Sequence, residues 1–380
     1  MMSNTKKADP YRRLLRWTII LLVLLALLAT AYVLMDKYQQ GERDRAAQRI
    51  EEENKVLIED YNKRRAEFQA SQQTTGQTKP LPTPKESGWD VLDLSDFPVK
   101  AERDVAATRE EMLLGGLLLV NRWHAMPPDF TLAEPHLKSI GTETSFRVGV
   151  TGREVQVLEP VIKALDAMIG DAKKAGLESY IVRQGYRTAT EQTEIWNKEL
   201  ALYADRYSGD ALTEKARVRV AYPGTSDYHT GMSVFMDVYN RNDSELNKMA
   251  FQTTDQAKWM NEHAAEYGFI FRFPVQGYPD ASTVDKSYIT GINLKDMDVY
   301  RYVGIPHAMT MKALGMCLEE YIDYLIAHPH IAVYQDGVMK YEIYRVPGGN
   351  EDATISLTAG AKEYSVSTDN MNGLVVAMVY

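Results

Sequence analysis

Pro223-Gly224-Thr225-Ser226-Asp227-Tyr228-His229-Thr230-Gly231-Met232-Ser233-Val234-Phe235-Met236-Asp237 is the stretch on which the reading of this chain turns. If its second half is a strand, residues two apart share a face and residues one apart do not. Upstream stand Leu119-Val120-Asn121, then Pro127-Pro128-Asp129-Phe130, then Gly185-Tyr186-Arg187-Thr188 with Gln192. Downstream stand Tyr267-Gly268-Phe269-Ile270, Arg272-Phe273-Pro274, Thr290-Gly291 and Arg301-Tyr302-Val303-Gly304-Ile305-Pro306-His307-Ala308. Each piece alone is unspecific. Their order and spacing carry the information.

Between these pieces the chain alternates strand-like and helix-like segments. Leu117-Leu118-Leu119-Val120 reads as a buried strand. Leu158 to Ala175 places Leu158, Ile162, Leu165, Met168 and Ile169 at helical spacing, with Pro160 in the first turn and Gly176 as a cap. Tyr180-Ile181-Val182 reads as a strand and Thr190 to Leu202 as a helix. Ala257 to Tyr267 reads as a helix closed by Gly268, Phe269 to Phe273 as a strand, and Met309 to His328 as a helix interrupted at Gly315. From His330 to Tyr380 the chain is rich in Val, Ile, Tyr and Thr, with turn signals at Gly348-Gly349 and Asp369-Asn370, which predicts a small β module.

In that order the segments resemble the VanY-like D-alanyl-D-alanine carboxypeptidases over about residues 115–328. The resemblance implies an α+β domain, a compact antiparallel sheet flanked by helices, spanning residues 89–329. It also implies a zinc peptidase site, in which Ser-x-His-x-x-Gly-x-Ala-x-Asp supplies His and Asp and Glu-x-x-His supplies a general base and the last His. Aligned on Ser226 and Gly231, the His position holds Tyr228 and the Asp position Phe235. Aligned on Arg301-Tyr302-Val303-Gly304, the Glu and His positions hold Asp296 and Val299. A local shift offers His229 and Asp237 as metal ligands, with Asp296 as the catalytic carboxylate; in a strand Asp237 keeps the correct face while His229 turns away. The substrate-facing positions match better: Arg187, Gln192 and Ser226 are expected to hold substrate, since an arginine can grip a terminal carboxylate in two-pronged fashion.

The expectation is therefore a protein without a cofactor, or with zinc if a displaced site is active. As a pseudoenzyme it would bind peptidoglycan stem peptides or regulate a cell-wall enzyme. The rivals are an active D,D-carboxypeptidase releasing D-alanine, and an envelope scaffold worked by its ends. His124 beside Trp123 reads as packing, and Cys317, the only cysteine, has no basic neighbour to activate it and permits no intramolecular disulfide.

The 380 residues carry a net charge of −9, which argues against nucleic acid as a partner. Lys6, Lys7, Arg12, Arg13 and Arg16 precede an uncharged apolar run, Thr18 to Met35. Eighteen residues of helix span roughly 27 Å, near the thickness of a bilayer core. The expectation is a short cytoplasmic tail (1–17), a membrane helix (18–35) and an extracellular remainder on a Gram-positive-type cell. Ala29-Thr30-Ala31 offers a signal-cleavage alternative, but the apolar run continues beyond it. Residues 36–73 read as a polar stalk helix, with Ile50, Leu57, Tyr61 and Phe68 as a short coiled-coil seam, and 74–88 as a Pro-containing linker.

Overall fold

The computed structural model describes residues 80–380 except 133–135 and 153, together with isolated helical residues between 18 and 63. The membrane span and stalk expected over 18–73 lie mostly outside the described residues. Among the described residues no helix is long and apolar enough to cross a membrane.

The strands in chain order are β1 (Trp89–Asp93), β2 (Ala101–Ala107), β3 (Leu137–Ser139), β4 (Gly149–Val150), β5 (Gln156–Leu158), β6 (Tyr180–Gln184) and β7 (Ser233–Val238). They continue as β8 (Phe269–Phe271), β9 (Val299–Tyr302), β10 (His330–Gln335), β11 (Val338–Pro347), β12 (Ala353–Thr358), β13 (Glu363–Thr368) and β14 (Gly373–Val379). One five-stranded sheet runs β4-β6-β7-β9-β8, parallel only between β4 and β6. The helix Glu159–Lys174 packs on it through Val161, Ile162, Leu165, Met168 and Ala172, which meet Val182, Val234, Met236 and Val238. Its ends follow from sequence: Pro160 needs no hydrogen bond in the first turn, Lys173 and Lys174 suit the carboxyl end of the dipole, and Gly176 takes φ 84° beyond the cap. Leu165 has no exposed surface. Truncating it to Ala removes about 2–5 kcal/mol, because the packed neighbours only partly collapse.

A second five-stranded sheet runs β1-β10-β11-β14-β13. It contains the expected C-terminal strands but also recruits residues from the other side of the chain. β1 pairs with β10 from Trp89↔Gln335 to Asp93↔Ile331, and β2 pairs with β12. Strand pairing therefore crosses the boundary expected at 329/330. The physical reason is the edge: Ile331 and Val333 are fully buried apolar residues of β10, and β1 covers the backbone groups that this strand would otherwise leave open. The helices Ile305–Leu314 and Leu318–Ala327, broken at Gly315 as the sequence suggests, pack on this sheet through Met311, Leu318, Ile322 and Leu325.

Leu117–Val120 is buried but is not a strand. Side chains supply most of what a ladder would, beside one backbone bond from Leu119 N–H to the Asp369 carbonyl at 3.4 Å. Leu117 N–H donates to Ser367 Oγ at 2.9 Å, and the carbonyls of Gly116 and Leu118 accept from Arg301 Nη2 at 3.0 and 3.1 Å. Asn370 Nδ2 donates to the Leu119 carbonyl at 2.8 Å. A buried backbone needs partners, not necessarily a neighbouring strand.

Candidate functional site

β6 runs into Gly185-Tyr186-Arg187, and the helix Ala189–Tyr203 starts directly afterwards. A Cβ at Gly185 would collide with the Gln156 carbonyl, so the strand passes where only glycine fits. Thr188 and Glu191 form a reciprocal cap on the helix, Thr188 N–H donating to Glu191 Oε2 at 2.7 Å. Arg187 is thereby held at a rigid strand-to-helix corner. Its Nη1 donates to Gln192 Oε1 at 2.7 Å, and Gln192 Nε2 donates to the Ala221 carbonyl at 2.6 Å, which fixes the amide with its oxygen toward the guanidinium. Arg187 Nε is buried without a hydrogen-bond partner. Burial pulls the guanidinium below its ordinary value, opposed by Tyr228 and Glu191, yet an arginine stays charged.

A 3-10 turn, Asp227–Thr230, ends at Gly231, whose φ of 68° lets the chain reverse into β7. The turn aims its residues apart. Tyr228 lies under Arg187, with the guanidinium carbon 4.3 Å from the ring centroid. His229 Nδ1 lies 2.6 Å from the Arg187 carbonyl and so carries the proton, while Nε2 accepts from Gly224 N–H at 3.1 Å. Both imidazole nitrogens are committed to backbone, leaving none for a metal. Burial holds this imidazole below its ordinary value. Asp237 is ion-paired with Arg183 and accepts from Val238 N–H at 2.8 Å. Asp296 adopts φ 68° and lines a separate open cleft with Glu262, Lys258 and Asp280.

Of the residues singled out in the sequence, Arg187, Gln192 and Ser226 line one cavity of about 250 Å³. His229, Asp237 and Asp296 do not line it. Part of its apolar lining is one cluster, in which Tyr228 and Phe235 meet Phe273, Ile292, Leu294 and Met297; Val299 belongs to the cluster but does not line the cavity. Phe235 and Val299 are direct partners across β7 and β9. Sequence reasoning missed Thr290, which is 1% exposed, lines the same cavity and has an Oγ1 without a hydrogen-bond partner. It also missed the salt network beneath the turn. Asp227 Oδ1 accepts from Arg272 Nε at 3.0 Å and Arg301 Nη1 at 2.9 Å, and Arg272 grips Glu319 through Nη1 at 3.0 Å and Nη2 at 2.7 Å. Burial alone would raise the Asp227 carboxyl, but the two guanidiniums and Ser233 hold it below its ordinary value. The only sequence signal was an arginine inside each of two apolar strand runs, Phe-Ile-Phe-Arg-Phe and Val-Tyr-Arg-Tyr.

This mixed α+β arrangement is the fold of the D,D-peptidases. The solved vancomycin-resistance D,D-dipeptidase VanXYg, in complex with a D-Ala-D-Ala phosphinate analogue, superposes with a TM-score of 0.56 at 24% identity, over 73% of this chain and 99% of that one. A family model described as VanY, D-alanyl-D-alanine carboxypeptidase, matches residues 154–287. The D-alanyl-D-alanine carboxypeptidase of Enterococcus faecium is 29% identical over 71% of this chain and 77% of its own length. The bifunctional D-Ala-D-Ala dipeptidase and carboxypeptidase VanXYC of Enterococcus gallinarum is 33% identical over 40% of this chain and 72% of its own. The chain belongs to the VanY D-alanyl-D-alanine carboxypeptidase family.

Zinc, which the resemblance implies, is not fitted by the residues at its positions. Zinc takes imidazole, thiolate or carboxylate. Phe235 and Val299 offer no donor, and burial pushes the Tyr228 phenol up, so it stays protonated. Among the described residues no three His, Cys, Asp or Glu side chains come together in metal-binding proximity.

Proposed function

We propose that this protein is a non-catalytic VanY-family member that binds the free carboxylate end of a peptidoglycan stem peptide, displayed outside the cell by an N-terminal membrane anchor. One observation carries the reading: Arg187 keeps a buried N–H unpaired in a cavity lined by Tyr228 and Phe235, which stand at two of the three metal positions, the third being Val299 of the same apolar cluster. A buried donor left open costs stability unless something fills it. A carboxylate supplies the missing acceptor and the opposite charge, in a two-pronged geometry that an arginine matches. Arg122 and Arg217 share Glu214, and Arg219 pairs with Glu199, while the lining Asp227 is held by Arg272 and Arg301 from outside the cavity, so Arg187 is left without a carboxylate partner among the four lining guanidiniums. That uncompensated charge draws anions. The extracytoplasmic placement rests on the basic flank and apolar run of residues 6–35.

The test is to titrate the full-length chain with a peptide ending in D-Ala-D-Ala and with the same peptide amidated, while assaying released D-alanine with and without added zinc. The reading expects binding of the free acid only and no D-alanine release. Release that stops with chelator would show an active peptidase instead.

A further inference from the structure

Resting on that carboxylate reading, we propose that the cavity accepts chain ends in D-alanine but prefers those whose last side chain is apolar and larger than a methyl group, with Thr290 as the second polar contact. Arg187 Nε and Thr290 Oγ1 are the two buried side-chain polar atoms without a partner among the described residues, and both residues line this one cavity. Native proteins pair nearly all such atoms, so two open ones around one cavity mark where a ligand's polar groups go. A carboxylate can meet the guanidinium with one oxygen and the hydroxyl with the other, or with its adjoining amide.

The rest of the ligand meets a different surface. Tyr228, Phe235, Phe273, Ile292, Leu294 and Met297 form the cavity's apolar side. Where a metal site would present charge and bound water, this chain presents hydrocarbon and ring faces. Covering them with an apolar side chain releases water from both partners, and each added methylene counts in favour of binding. A methyl group covers little of such a surface. The neighbouring backbone is held close: a Cβ on Gly291 would strike the Arg122 side chain, so the segment carrying Thr290 and Ile292 packs where only glycine fits against Arg122. Gly291 follows Thr290 at φ 80°, the left-handed stop of the short helix Ser287–Thr290, which turns Ile292 into the cluster.

Calorimetric titration of the full-length chain with N-acetyl-D-alanine, N-acetyl-D-leucine and N-acetyl-D-leucinamide tests this. N-acetyl-D-leucine is expected to bind roughly tenfold or more tighter than N-acetyl-D-alanine, and the amide not measurably. Thr290→Val is expected to weaken N-acetyl-D-leucine several-fold without lowering the thermal midpoint of the free protein, whereas Thr290→Ser keeps most of the affinity. Equal or tighter binding of N-acetyl-D-alanine would overturn the side-chain preference and leave the carboxylate reading standing. An unchanged affinity in a folded Thr290→Val would overturn the role of Thr290. No difference between acid and amide would overturn the carboxylate reading itself.

Discussion

The Arg187 guanidinium carbon stands 4.3 Å from the centroid of the Tyr228 ring, and Tyr228 occupies the position where the family's first zinc-ligating histidine is expected. The residue that removes the metal donor thus also supports the cation lining the cavity. A ring face offsets part of the cost of burying a guanidinium, but adds no negative charge that would compete with an incoming carboxylate. The phenol stays neutral because burial raises it.

Replacing Arg187 with Met keeps the stacked shape and removes the charge. Carboxylate affinity is expected to fall by about 2–5 kcal/mol. The free protein should lose about 1–3 kcal/mol at most, because the unpaired buried N–H disappears with the side chain while buried Gln192 Oε1 loses its donor. Calorimetry and urea unfolding read the two effects separately. Undiminished binding would place the clamp elsewhere.

The purified full-length chain, dialysed without chelator, is expected to carry no stoichiometric zinc. Combining Tyr228→His, Phe235→Asp and Val299→His restores imidazole, carboxylate and imidazole, and is expected to raise the content to about one zinc per chain. The same triple variant loses stability without metal, since fully buried Val299 and its neighbours leave an apolar cluster. Elemental analysis checks the prediction, and one zinc in the unaltered protein would refute it.

Arg272 holds Asp227 and Glu319 together with no exposed side-chain surface of its own. Arg272→Leu leaves Glu319 with only the Asn121 amide, which donates at 3.0 Å. A loss of about 3–5 kcal/mol is expected in urea unfolding, because one member of a buried network is left uncompensated. Adding Glu319→Leu should recover part of it. Strictly additive losses would show that the two side chains do not act as a unit.

Acid sensitivity should begin near neutral pH. Burial lowers the His307 imidazole to about 3 and also lowers His229, whereas both titrate near 6.5 when unfolded. As pH falls below 6.5 the unfolded chain takes up protons that the folded chain refuses, so stability declines. Asp298 acts in the opposite sense. Burial raises its carboxyl to about 6, against an ordinary 3.8, so the folded chain holds the extra proton between those values and gains stability as pH falls through them. The decline should therefore steepen as pH falls through 6.5 and then flatten off near 6, at a slope below the one the two imidazoles alone would give. Asp298→Asn should abolish that flattening in urea midpoints measured from pH 7.5 to 5.

Much of the architecture was legible because periodicity and caps are local. The helix Glu159–Lys174 follows from its apolar spacing, Pro160 and Gly176, and the break in the 305–327 helices follows from Gly315 at φ 65°. Leu117–Val120 misled because an apolar run announces burial and not the identity of its hydrogen-bond partners, here the side chains of Ser367, Arg301 and Asn370. Nor could β1 be assigned to the C-terminal sheet, since Trp89 and its partner Gln335 lie far apart in the chain. The motif put forward Arg187, Gln192 and Ser226, and the structure lines one cavity with all three. The motif offered His229 as a displaced ligand, but only coordinates reveal that Arg187 and Gly224 occupy both of its nitrogens. Thr290 stayed hidden because an unpartnered hydroxyl is a property of its surroundings.

The pairing of β1 with β10 also decides where mechanical load would enter. A pull on the chain ahead of Trp89 reaches first an edge strand of the C-terminal sheet, held antiparallel along five residue pairs, and not the sheet from which Arg187 and Phe235 project. Tension would spend itself on that ladder before it could deform the cavity. Single-molecule stretching from residue 80 should then release β1 while ligand stays bound. The sheet at the end of the sequence serves as a strain relief for the one in its middle.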